Sequence, residues 1–229
     1  MTSVYPQHSY EPEEGSTQIL LVRHGQSAPY DPARPFDLVD GHGDPPLTDL
    51  GKYQATLVGE RLRSEPISGI YVSSLTRTHQ TAEPLAGHLQ VTPRQDDDFR
   101  EVFLGDFEGG RFRKAIADGH PAVEVMRSRQ DWGAIPGAES NAQLTQRTVA
   151  AATRVAEAHT NELVAVFCHG GVIASLVAYA ANANPFFFSG SRHTAVSHLV
   201  IGPSGWTVRS FNDGSHMGTL TMDNPLPST

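Results

Sequence analysis

Two short runs of continuous apolar residues constrain the fold of this chain most: Ile-Leu-Leu-Val at 19–22 and Leu-Val-Ala-Val-Phe at 163–167. A strand with one wet face alternates apolar and polar residues, whereas a run without alternation requires cover on both faces. Further β-rich runs lie at 70–73, 196–201 and 207–211. Helical patterns fall between them. Thr48 is placed to cap a helix through about Leu62, with Pro66 beyond its end, and segments 76–85, 140–159 and 171–181 also read as helices. In the 140–159 segment Leu144, Thr148, Ala152 and Val155 share one face, the mark of core contact. Strands alternating with helices predict an α/β fold of three layers, a largely parallel central sheet flanked by helices.

With 229 residues the chain can form one sizeable domain, and no repeat or low-complexity linker divides it. The expected domain runs over 18–217. Residues 1–17 are polar and proline-containing and read as a mobile leader, and 218–229 as a mobile tail. The formal charge of −8 disfavours nucleic acid and anionic membrane as partners, since both reward Lys and Arg. Any phosphate must therefore meet a local basic site. Cys168 is the single cysteine, which excludes an internal disulfide or a multi-cysteine metal site. No run is long and apolar enough for a membrane span, and the leader lacks the basic start and apolar centre of a signal peptide, so the expected location is cytoplasmic.

The residues just past the strand ends are more informative. The run at 19–22 enters Arg23-His24-Gly25-Gln26-Ser27, the run at 70–73 leads through Ser74-Leu75-Thr76 to Arg77, and the run at 163–167 leads through Cys168 to His169-Gly170-Gly171. Open α/β sheets bind ligands at the carboxyl ends of their strands, so two arginines and two histidines are expected to converge there. That set suits an anion, with Arg presenting a planar fork to phosphate oxygens. Gly170 and Gly171 open a helix and can add N–H donors. Each piece alone is weak; a lone histidine is more often held by a backbone carbonyl than functional. Its repetition at equivalent strand ends gives the pattern its weight.

These blocks closely resemble the histidine phosphatase superfamily, whose signature Arg-His-Gly-x-Ser/Thr stands here at 23–27. Pro46-Leu47-Thr48-Asp49-Leu50-Gly51, Ser73-Ser74-Leu75-Thr76-Arg77-Thr78-His79-Gln80-Thr81-Ala82, Arg100-Glu101 before Gly105, Pro136-Gly137-Ala138-Glu139-Ser140 and Cys168-His169-Gly170-Gly171-Val172 come after it in the family's order. Asn212-Asp213 with His216-Met217 is similar to the family's ending. The resemblance implies a phosphoglycerate mutase-like fold, His24 as nucleophile, and Arg23, Arg77 and a protonated His169 around the phosphoryl oxygens. It implies Glu101 as proton donor and acceptor, with Glu108 as the alternative. Gln26, Ser27 and Gly170 are the expected further substrate contacts.

The implied activity is a phosphomonoesterase acting on a small phosphorylated metabolite without a cofactor or metal. His24, His42, His79 and His88 show no ligand-like spacing. Cys168 ends an apolar strand and is expected to be a buried, inert thiol rather than a nucleophile. The alternative is a mutase of the phosphoglycerate type. The basic residues at 111–129 keep it open, but the Glu-Arg-Arg run of mutases and the family's Asn after the signature are missing, with Ala28-Pro29-Tyr30 in that place. A non-catalytic phosphate-binding module would have no need of Glu101. Specificity is expected in 28–46 and 107–137, and Phe186, Phe187 and Phe188 can line an apolar side of the pocket. A homodimer is left open.

Overall fold

The computed structural model describes residues 5–218 of the chain. In chain order the elements are β1 (Thr17–Arg23), β2 (Leu38–Val39), β3 (His42–Gly43), α1 (Asp49–Leu62), β4 (Ile67–Val72), α2 (Thr76–Leu89) and β5 (Arg94–Gln95). Next come α3 (Arg111–Ala117), α4 (Pro121–Arg129), α5 (Asn141–Ala158), β6 (Leu163–Cys168), α6 (Gly170–Ala181), β7 (Val196–Gly202) and β8 (Gly205–Asp213). Six strands form one sheet in the order β5-β4-β6-β1-β7-β8. The first four run parallel, β7 adds antiparallel to the edge of β1, and β8 pairs antiparallel with β7.

The two apolar runs are neighbours at the centre, β1 paired with β6 from Gln18↔Leu163 to Arg23↔Cys168. Alternate side chains of each feed opposite layers. Ile19, Leu21, Val164 and Val166 pack with Leu144, Val155, Ile173 and Leu176 of α5 and α6. Leu20, Val22, Ala165 and Phe167 pack with Val58, Leu62, Ala82 and Leu85 of α1 and α2. This double cover explains why the strands carry no polar alternation. A third cluster, Ala115, Val123, Met126 and Ile135, lies under α3 and α4 and is separate from the sheet.

The helix boundaries follow local chemistry. Thr48 caps α1 through Gly51 N–H, and Ser140 and Gln143 form a reciprocal capping box at α5. α2 continues past the expected stop at 85, carrying Pro84 inside it, until Gln90, at φ 54°, closes it by donating its N–H to the Ala86 carbonyl. The expected leader is shorter than 1–17: Thr17 already belongs to β1, Ser16 is buried, and Glu13 accepts from Ser204 N–H. The expected tail, beyond Gly218, lies outside the described residues.

Candidate active site

The carboxyl ends of β1, β4 and β6 open into one cavity of about 330 Å³, lined among others by Arg23, His24, Ser27, Arg77, Glu101 and Gly170. His24 is 6% exposed. Its Nδ1 lies 2.7 Å from the Gly25 carbonyl, so Nδ1–H donates there and Nε2 keeps its lone pair. Burial, then Arg77 and Arg23, hold its pKa well below the ordinary histidine value. The result is a neutral imidazole between two cations.

The backbone at His24 is clamped from several directions. Its N–H donates to the Cys168 carbonyl, Gly25 N–H donates to Thr81 Oγ1, and Gln26 N–H donates to Gln54 Oε1. A Cβ on Gly25 would come within 2.5 Å of the Gly51 carbonyl oxygen, so the strand-end turn meets α1 through two glycines. Thr81 and Gln80 of α2 hold Gly25 and Leu47, which accounts for the Thr-x-Thr-x-Gln-Thr-Ala stretch around Arg77.

Arg77 donates to the Gly43 carbonyl at 3.0 Å and pairs with Asp44 at 3.8 Å. Burial lowers its pKa to about 10, so it stays cationic at neutral pH. Arg23 donates to the Ser191 carbonyl, while its Nε is buried without a partner among the described residues. His169 lies behind His24, with ring centroids 5.2 Å apart. Its Nε2 is 2.8 Å from Ser73 Oγ, and its Nδ1 is buried without a partner among the described residues. Burial and Arg77 lower the His169 pKa as well. The expected protonated His169 is therefore corrected to a neutral ring. Leu75 N–H already donates to Ser73 Oγ, so the serine proton can go to His169 Nε2 and leave Nδ1–H as a donor.

Glu101 reaches the cavity with its two oxygens in different states. Oε1 accepts from Val102 N–H at 2.9 Å and from Gly171 N–H at 3.0 Å. Oε2 has no hydrogen-bond partner among the described residues. The Gly171 N–H, expected to face a phosphate, is thus used on the carboxylate instead. Glu108 lines the same cavity but accepts from Leu104 and Gly43 N–H, which ties the 28–46 segment to the site. Cys168 is fully buried, and burial pushes its thiol up, away from thiolate chemistry.

Gln26 does not line the cavity. Its Oε1 accepts from Thr48 Oγ1 at 2.8 Å, since the cap of α1 needs that partner. Ser27 does line it and accepts from Arg113 Nη2 at 2.8 Å. Among the described residues no group of three or more His, Cys, Asp or Glu side chains is placed to hold a metal ion. No described helix is long and apolar enough to cross a membrane.

Three contributors were not among the expected site residues, although Arg113 is one of the basic residues noted at 111–129. His193 lines the cavity, 6.0 Å from the His24 ring, with its pKa lowered to about 3 by burial, Arg23 and Arg113. Arg113 comes from α3. Arg147 of α5 pairs with Glu139 at 2.7 Å and donates to the carbonyls of Asp98, Arg100 and Glu101, bracing the acid from behind. The Pro-Gly-Ala-Glu-Ser block held the clue to that brace, since its glutamate lies eight residues before Arg147.

The family model of the histidine phosphatase superfamily, branch 1, matches residues 19–214. The chain belongs to the histidine phosphatase superfamily. Phosphoglycerate mutase-like protein 4 of Arabidopsis thaliana is 34% identical over 206 residues, covering 87% of this chain and 86% of that one. A probable phosphoglycerate mutase GpmB of Photorhabdus laumondii is 30% identical over 223 residues, covering 90% and 97%. Among solved structures, Bacillus stearothermophilus YhfR superposes with a TM-score of 0.75 at 27% identity, covering 88% and 99%. A mycobacterial glucosyl-3-phosphoglycerate phosphatase does so with a TM-score of 0.71 at 25% identity, covering 86% and 99%. The histidine phosphatase fold thus carries both mutase and phosphatase names among these relatives, and the chain shares its α/β architecture.

Proposed function

We propose that this histidine phosphatase is a phosphomonoesterase for small phosphate esters, working through a phosphohistidine on His24. The observation that supports it best is the neutral His24 ring, its Nδ1 committed to the Gly25 carbonyl, set between Arg23 and Arg77. Nε2 attacks phosphorus in line, the N–P bond forms and the ester P–O bond breaks. Arg23, Arg77 and the His169 Nδ1–H offset the charge on the phosphoryl oxygens. The leaving alkoxide takes its proton from Glu101 Oε2. Water then attacks the phosphohistidine while the Glu101 carboxylate accepts its proton, which returns both residues to their starting states.

Hydrolysis is favoured over transfer because the far wall of the cavity, among the described residues, lacks free cations to hold a phosphorylated sugar acid in two orientations. A panel of phosphomonoesters that includes 3-phosphoglycerate tests this, with His24→Ala as control. Phosphate release by the wild type alone, with an acid-labile phosphoenzyme, is expected. Interconversion of phosphoglycerates stimulated by bisphosphoglycerate would overturn hydrolysis in favour of a mutase; no turnover and no phosphoenzyme would leave a binding module.

A further inference from the structure

Beyond His24 the cavity wall changes character. Phe107, Phe112, Trp132 and Phe186 line it, and their rings touch in series, with centroids 6.5 Å apart for Phe107 and Phe112, 5.6 Å for Phe112 and Trp132, and 5.2 Å for Trp132 and Phe186. All four rings are half-buried, packed at their backs on the α3–α4 cluster. Leu104 and Pro185 extend the same surface.

The charges around the cavity exclude an acidic leaving group. Among the described residues Arg23, Arg77 and Arg113 are the lining cations. The first two belong to the phosphoryl end. Arg113 is committed to Ser27 Oγ and the Ala28 carbonyl and lies over the Phe36 ring at 5.2 Å. Of the two further lining histidines, His193 is neutral above acid pH, and burial lowers the pKa of His42 as well. Glu108 lines the cavity as well, both its oxygens accepting backbone N–H, and its carboxylate would repel a carboxylate on the substrate. A cavity of about 330 Å³ has room for a small ester, with a ring system stacked against the aromatic wall.

We infer that the substrate is the phosphomonoester of an uncharged, ring-bearing apolar alcohol, with Trp132, Phe112 and Phe186 as its specificity-determining residues. This rests on the phosphatase reading of the same site. Burying one ring against that wall raises kcat/KM by about thirtyfold over a ringless ester.

The experiment compares three alkyl esters of like leaving-group basicity: 2-(1-naphthyl)ethyl phosphate, glycerol 1-phosphate and 3-phosphoglycerate. The wild type is expected to prefer the naphthylethyl ester by tenfold or more. Trp132→Ala and, on a separate segment, Phe186→Ser are expected to raise KM for that ester alone and leave the two polar esters unchanged. Their unchanged turnover of glycerol 1-phosphate shows that each variant is folded. Preference for 3-phosphoglycerate, or an equal loss on all three esters in both variants, overturns the inference while leaving hydrolysis intact. No release from any ester and no acid-labile phosphoenzyme overturns the phosphatase reading and the inference together.

Discussion

Gly171 shows how closely a single residue can govern the proposed chemistry. It is the second residue of α6, and a Cβ there would come within 2.5 Å of Glu101 Oε1, the oxygen its own N–H holds. The backbone itself tolerates a side chain, because Gly171 is not among the positive-φ glycines, and alanine favours a helix over glycine by up to about 1 kcal/mol. Gly171→Ala should therefore separate activity from stability. The melting temperature is expected to hold or rise, while kcat on alkyl phosphates falls about a hundredfold, the lower range of a general acid's contribution. Aryl phosphates, whose leaving groups need a proton less, should lose far less. Steady-state rates on matched alkyl and aryl esters beside a thermal melt check this; equal losses on both would remove Glu101 from the leaving-group step.

Among the elements, the short β2–β3 hairpin and the start of α2 depend on one carboxylate. Leu75 occupies the N-cap position of α2 and offers no side-chain acceptor. Asp44, 32 residues before Thr76, takes that role, accepting from Thr76 N–H at 2.8 Å and Thr76 Oγ1 at 2.6 Å while pairing with Arg77. Asp44→Ala should cost about 1 kcal/mol of stability, as loss of a cap does, and raise KM for phosphate esters by loosening Arg77. Asp44→Asn keeps an acceptor for the cap and should recover the stability without recovering KM. Chemical denaturation and steady-state kinetics on the two variants distinguish these effects. An unchanged KM in both would dissociate the hairpin from the arginine.

This remote cap also marks the limit of what was legible. The central strands and α1, α5 and α6 could be read because apolar runs, a Thr48 cap and the Ser140 box are local signals. Arg23, His24, Arg77 and His169 were legible as candidates because they stand in motif blocks just past those strands, and Glu101 because its block before Gly105 comes in the family's order. α3 and α4 could not, since their apolar residues 112, 115, 123 and 126 face a small separate cluster rather than the sheet and make no long stripe. Gly119 at positive φ and Pro121 at the first turn of α4 were the available punctuation. His193 and Arg113 follow no strand and gain their meaning only where the chain returns to the cavity.

For the whole molecule, the buried histidines couple folding to pH. Burial holds His24 and His169 well below the ordinary histidine value, lowers His193 to about 3 and lowers His216 to about 4. An unfolded histidine titrates near pH 6.5. Above that pH neither state is protonated at these four residues, so their contribution to stability is fully present. As pH falls below about 6.5 the unfolded chain takes up protons that the fold refuses, so stability declines by up to about 1.4 kcal/mol per pH unit for each residue, less for the partly exposed His216. Asp213, held down to about 2 mainly by backbone N–H donation from Ser215, adds a loss of the same sign only below about pH 4. The expected profile is a flat melting temperature from pH 7 to 8, then a steep fall between pH 6.5 and 4. His193→Gln should make that fall shallower by close to one proton, measurable as the slope of unfolding free energy against pH. A slope that His193→Gln leaves unchanged would show that His193 takes up its proton in the folded protein; a profile that stays level to pH 4.5 would show the same of all four rings, and would remove the neutral imidazole on which the proposed attack by His24 depends.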